Sequence, residues 1–245
     1  MYKISFLDRT SSLPYISQLQ TDDISNILHS YLNICKEKGT IIGCSKYIHK
    51  SIKLICFDMD STLIKIEILD ELADIMGIGE QMRKITAQTM YGELNFKDSF
   101  LQRVRLLKGL SVNSLNNLAQ NMPIADGLQI LMEQLKEKRI KTAIITGNFS
   151  CFGKFLQLKY GFDYIFTTEA EIEQNKFLSG NIKGKIIDGL GKAEILLALC
   201  KKENITPSQC IAVGDGANDI PMLIAAGTGI IYNATVCGDI TRIMD

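Results

Sequence analysis

The chain has 245 residues, 46% hydrophobic and 22% charged, with 27 Lys plus Arg balanced by 27 Asp plus Glu. That size can bury one α/β core with a small accessory module, and the charge balance argues against a general nucleic-acid binder, which needs a basic surface. Its 7 cysteines form no C-x-x-C pair, and neither a signal-like N-terminus nor a membrane-length apolar run of ~18 residues occurs, so a soluble, cytoplasmic, reduced protein is expected.

Residues 1–50 are polar and Ser-rich, with one weak helical stripe at Ile24, Ile27, Leu28 and Leu32. They read as a short N-terminal segment without an assignable role, and residues 51–245 as the core. At Lys53 the run KLICF has the length and character of a buried strand ending in acid. Residues 67–123 then read as successive helices: Glu67–Met76 stopped by Gly77, Gly79–Tyr91, Phe96–Lys108 stopped by Gly109, and Ser111–Asn121. A helical block after the first core strand suggests a lid over that strand's carboxyl end, where open parallel sheets bind ligands.

Beyond it, helical and strand-like segments alternate. Gly127–Lys138 precedes Lys141–Thr146, Ser150–Tyr160 precedes Tyr164–Thr168, and Lys192–Lys201 precedes Cys210–Val213 and Gly229–Tyr232. The alternation predicts a parallel sheet flanked by helices.

Four polar clusters punctuate this pattern: Asp58-Met59-Asp60-Ser61-Thr62, Thr146-Gly147-Asn148, Lys192, and Gly214-Asp215-Gly216-Ala217-Asn218-Asp219. Taken singly each is a weak signal: the three loop clusters read as ordinary turns and Lys192 as a solvated surface residue. A calcium loop starting at Asp215 is excluded, because its twelfth position is Ala226 rather than Glu. Together, acids that cap successive buried strands of one parallel sheet converge at its carboxyl edge. Crowded carboxylates with few histidines suit a hard cation such as Mg²⁺. The two histidines, His29 and His49, lie in the N-terminal segment and read as surface residues.

Residues i and i+2 of an extended strand point the same way, so Asp58 and Asp60 can address one ligand. Asp58 can attack phosphorus to form an aspartyl-phosphate. Asp60 can protonate the departing alkoxide and then deprotonate the hydrolytic water. Lys192, the Thr146 hydroxyl, backbone N–H groups and the metal would neutralise the transferring phosphoryl group.

The order DMDST, Thr-Gly, Lys and GDGANDI resembles the haloacid dehalogenase superfamily of phosphohydrolases, over about Lys53 to Tyr232. More closely it resembles the branch that hydrolyses phosphoserine, the last step of serine biosynthesis. The resemblance implies an α/β fold: a Rossmann-like parallel sheet with flanking helices and an inserted helical cap. It implies Asp58 as nucleophile and Asp60 as acid/base. It also implies Mg²⁺ held by Asp58, the Asp60 main-chain carbonyl and Asp215, with Asp219 supporting that shell. Thr146, Gly147 and Lys192 would bind phosphate, and Asn218 would touch substrate or phosphate. By the same resemblance, Glu67, nine residues after the nucleophile, would meet the substrate amine. Arg103, seven residues after the Phe of Leu94-Asn95-Phe96, would bind the substrate carboxylate.

Three departures stand out, the first being that several relatives carry a complete regulatory domain before the core, for which residues 1–50 read as too short. The second motif commonly reads Ser-Gly-Gly-Phe, whereas Asn148 here adds a side chain beside the phosphate site. Relatives usually continue with a strand and helix after the segment matching GIIYNA, so one sheet edge is in question. The competing readings are a phosphatase or phosphotransferase for another small phosphorylated metabolite, and a phospho-Asp regulatory module. The second acid, Asp60, and the long insertion argue against the last.

Overall fold

The computed structural model describes residues 2–8, 15–19, 21, 23–46, 51–90 and 94–244, so the expectation for His49 lies outside the described residues. The polar N-terminal residues form β1 (Tyr2–Leu7), β2 (Tyr15–Leu19), α1 (Ile24–Lys38) and β3 (Ile41–Ser45). The weak stripe of α1 is its packing face: Ile24, Leu28, Leu32 and Cys35 are buried. Asp23 caps its start by accepting from the Asn26 N–H, and Gly39 in the left-handed region (φ 66°) ends it.

β4 (Leu54–Phe57) follows, and all four of its residues are buried, as a strand covered on both faces requires. Four helices separate it from the rest of the core: α2 (Ile68–Ile75), α3 (Gly79–Met90), α4 (Phe96–Leu106) and α5 (Val112–Asn121). Gly77 (φ 71°) and Gly109 (φ 86°) take up the left-handed conformation where the chain leaves α2 and α4. Asn95 and Ser111 cap the starts of α4 and α5 through the Asp98 and Ser114 N–H groups.

The chain then alternates through α6 (Leu128–Glu137), β5 (Lys141–Phe149), α7 (Ser150–Tyr160), β6 (Tyr164–Glu173), β7 (Phe177–Lys183), α8 (Gly189–Lys202), β8 (Cys210–Gly214), α9 (Ile220–Ala225) and β9 (Thr228–Ile231). The strands share one sheet in the order β2-β1-β3-β9-β8-β4-β5-β6-β7. Its middle five, β9-β8-β4-β5-β6, are parallel.

Both flanks depart from the sequence reading. On one side β3 pairs antiparallel with β9, from Ile42↔Ile231 to Ser45↔Thr228, so the edge in question is occupied by the N-terminal segment. On the other, β6 runs on past Thr168 and returns as β7 through a turn with Gln174 and Asn175 at positive φ. The Gly109 N–H donates to the Leu178 carbonyl (2.8 Å) and the Leu178 N–H to that of Leu110 (2.9 Å), tying the helical insertion to this hairpin. Among the described residues no helix is long and apolar enough to cross a membrane.

Candidate active site

The apolar strands deliver their polar successors to one edge of the sheet. The Asp58 N–H makes the last ladder bond of β4, to the Val213 carbonyl (2.9 Å). The backbone then turns through Ser61, a non-glycine residue at φ 51°. Hydrogen bonds from the Ser61 N–H to the Ile66 carbonyl (3.2 Å) and from the Ala234 N–H to the Ser61 carbonyl (2.7 Å) hold that uncommon conformation. Asp215 follows β8 directly, and a Cβ on Gly214 would sit 2.5 Å from the Asp219 carboxyl carbon, so the close approach needs glycine. Thr146, Gly147 and Asn148 lie within the carboxyl end of β5, which extends three residues beyond the expected strand. Lys192 lies in the first turn of α8 rather than opening it. Asp188 caps that helix by accepting from the Gly191 N–H (2.8 Å).

Asp58, Thr146, Gly147, Asn148, Lys192 and Asp215 line one cleft of about 590 Å³. At its base the Lys192 ammonium, 1% exposed, donates to Asp58 Oδ1 (2.5 Å) and to Asp219 Oδ1 (2.7 Å). Asp58, Asp215 and Asp219 are all buried, and each places a carboxylate oxygen within 4.8 Å of the others. Asn233 Nδ2 donates to Asp215 Oδ2 (3.0 Å), and Lys36 Nζ stands 3.7 Å from the same oxygen.

The buried Lys192 ammonium thus pairs with two of the three carboxylates and the exposed Lys36 stands beside the third, so the acids outnumber the cations next to them. Burial, then repulsion from Asp219, pushes the Asp58 carboxyl up to about 7 despite the opposing pull of Lys192. Burial, Asp219, Glu67 and Asp58 raise Asp215 well above the usual carboxylate range. For Lys192, burial acts downward, but Asp219 and Asp58 outweigh it and hold the ammonium above the ordinary lysine range. This compact, all-oxygen, electron-rich donor set fits a hard divalent cation.

The Asp60 carboxylate is held apart from that cluster. Its Oδ1 accepts from the Ile68 N–H at the start of α2 (3.1 Å), and its Oδ2 accepts from Asn148 Nδ2 (2.9 Å). Burial and the neighbouring Glu67 and Asp58 carboxylates raise its proton affinity. Glu67, the N-cap residue of α2, accepts from Ser61 Oγ at Oε1 (2.7 Å). The cleft walls crowd its carboxyl and raise its pKa against the Ser61 hydrogen bond. Arg103 of α4 lines the same cleft and keeps a buried Nε with no hydrogen-bond partner. Burial lowers the guanidinium's proton affinity, opposed by Asp70, Glu67 and Asp60. Phe96 and Phe100 stack on the same helix (centroids 6.1 Å apart, 16° between planes) and line the wall beside Gly147. Asn218, half-buried, lines the cleft near Asp215.

Every site residue expected from sequence therefore borders this one cleft, except Asp219, which is wholly buried behind Lys192. The sequence reading missed others. His29, exposed as expected, borders the cleft together with Asn33 and Lys36 of α1. Asn233 carried a weak signal, a polar residue placed just after a buried strand, as Asp58 and Asp215 are.

Residues 52–227 match the family described as haloacid dehalogenase-like hydrolase. The phosphoserine phosphatase of Archaeoglobus fulgidus is 46% identical over 225 residues, covering 91% of this chain and 65% of the relative. That of Saccharomyces cerevisiae is 35% identical over 213 residues, covering 86% of this chain and 69% of the relative. The chain thus spans about two thirds of the length of these relatives, and just under that of the first. Among solved structures, a haloacid dehalogenase family hydrolase from Salmonella enterica aligns with a TM-score of 0.75 at 30% identity, covering 92% of this chain and 87% of that one. A substrate-bound phosphoserine phosphatase aligns with a TM-score of 0.67 at 36% identity, covering 73% of this chain and 85% of that one.

Proposed function

Because the chain belongs to the haloacid dehalogenase-like hydrolases, we propose that it is a cytoplasmic, Mg²⁺-dependent phosphatase that converts O-phosphoserine to serine and phosphate. The observation that carries the reading is one cleft presenting Asp58 and Lys192 at its base, with Glu67 and Arg103 on its walls. A phosphate monoester that also bears an ammonium and a carboxylate matches those charges group for group. The names of the relatives favour the same substrate.

In this reading an Asp58 carboxylate oxygen attacks phosphorus as the bond from phosphorus to the serine oxygen breaks. Asp60 gives that oxygen its proton, so serine leaves neutral at the hydroxyl. Asp60, now a carboxylate, takes a proton from water as the water attacks the aspartyl-phosphate. Phosphate leaves and Asp58 is regenerated. Lys192, Thr146 and the Gly147 backbone stabilise the phosphoryl oxygens, while Arg103 and Glu67 hold the carboxylate and the ammonium. Asn218 contacts substrate or phosphate near the metal. Mg²⁺ would be held by Asp58, the Asp60 main-chain carbonyl and Asp215, with Asp219 behind them, and when bound it supplies positive charge to the phosphoryl group.

Phosphate release from phosphoserine, with Mg²⁺ and after exhaustive chelation, tests the proposal. Mg²⁺-dependent release supports it. Release from other phosphorylated metabolites but not from phosphoserine would move the assignment to another substrate, and no release from any would end it.

A further inference from the structure

Asn148 is the one polar side chain of the Thr146-Gly147-Asn148 segment that reaches an acid. It is 5% exposed, and both ends of its amide are engaged. Its Oδ1 accepts from the Phe149 N–H (2.9 Å), and its Nδ2 donates to Asp60 Oδ2 (2.9 Å). The reversed amide would set its oxygen against the carboxylate and its NH₂ against an N–H, so both contacts select one orientation. The backbone beneath is fixed as well, because the Asn148 N–H donates to Thr146 Oγ1 (3.1 Å). The other oxygen of Asp60 accepts from the Ile68 N–H of α2 (3.1 Å). The Asp60 carboxyl group is thus suspended between the β5 end of the core and the first helix of the insertion.

We propose that Asn148 is a positioning residue: it sets the plane of the Asp60 carboxyl group so that a proton passes between Asp60 and the leaving oxygen of the substrate. The inference rests on the acid/base reading of Asp60. Proton donation matters in proportion to how poor the leaving group is. A serine alkoxide needs the proton, whereas 4-nitrophenolate departs without it.

The test is kcat/KM for phosphoserine and for 4-nitrophenyl phosphate, measured in Asn148→Ala, Asp60→Asn and the double variant. Asn148→Ala should lower kcat/KM for phosphoserine about ten- to a hundredfold, part of the 10²–10⁴ that general acid catalysis contributes, with a loss of at most a few-fold for the aryl phosphate. In the Asp60→Asn background, Asn148→Ala should cost nothing further, because its effect passes through Asp60. Asn148→Asp, which keeps the shape and removes the donor, should lose at least as much as Ala, and it replaces Ala if that variant does not fold. Equal losses on the two substrates, or full additivity with Asp60→Asn, would overturn the role of Asn148. If Asp60→Asn itself spares phosphoserine, the acid/base reading beneath it fails, and that result is separately visible.

Discussion

The Lys192 ammonium and the Asp58 carboxylate lie 2.5 Å apart in a part of the protein that water hardly reaches, with side chains 1% and 7% exposed. A pair this buried is costly to break, because removing one partner strands the other's charge. Lys192→Met leaves Asp58 and Asp219 facing each other without their cation. We expect a loss of about 3–5 kcal/mol in metal-free urea unfolding, with the slope of the transition unchanged, together with loss of turnover. A shift below about 1 kcal/mol, the range of surface pairs, would contradict the geometry.

The nucleophile has a sharper signature. Asp58→Asn cannot form the acyl-phosphate, so turnover should disappear while the far-ultraviolet circular dichroism stays that of the parent protein. Sustained turnover by this variant, with deamidation excluded by mass spectrometry, would remove the covalent step.

The crowded carboxylates also make a statement about pH. Asp58, Asp60 and Asp215 are raised in the folded protein above the usual carboxylate range, Asp58 to about 7. The folded state therefore holds protons that the unfolded chain has released, and stability falls as pH rises from the carboxylate range of about 4 towards 7. Metal-free protein should melt at a higher temperature at pH 5 than at pH 8. Mg²⁺ should raise the melting temperature more at pH 8, where the carboxylates are ionised. Equal Mg²⁺ effects at the two pH values would argue against a carboxylate-bound cation.

Arg103 separates substrate reading from chemistry. With its Nε lacking a partner, Arg103 is poised to engage a carboxylate. Arg103→Ala should cost roughly 2–5 kcal/mol in kcat/KM for phosphoserine. The loss should be far smaller for an aryl phosphate, which offers no carboxylate. Equal losses would make Arg103 a packing residue.

What the sequence revealed follows from how strongly each element is encoded. Leu54–Phe57 and Cys210–Val213 are fully buried strands, so their apolar runs announce both the strand and the acid that follows it. The β6–β7 hairpin was not legible, since its turn is made by Gln174 and Asn175 in left-handed conformations rather than by glycine. α1 was legible only as a faint stripe. Asn33 and Lys36 border the cleft, yet by residue type they are indistinguishable from an ordinary solvated helix face. In the sequence Asn148 reads only as an added side chain beside the phosphate site, and the folded position of Asp60 supplies the acceptor for its NH₂.

The pairing of β3 with β9 bears on how the protein is made. Cys35 and Cys237, 202 positions apart in the chain, end up with sulfurs 3.3 Å apart, so neighbours in space here are strangers in time on the ribosome. Strands β1 to β3 emerge early and must wait for β9 before their inner edge is covered, an interval on the order of ten seconds or more at ordinary elongation rates. During that interval β3 presents open backbone N–H and C=O groups to any passing strand. The nascent chain is therefore most exposed to mispairing and chaperone capture before β9 emerges, while the parallel strands between are still being synthesised.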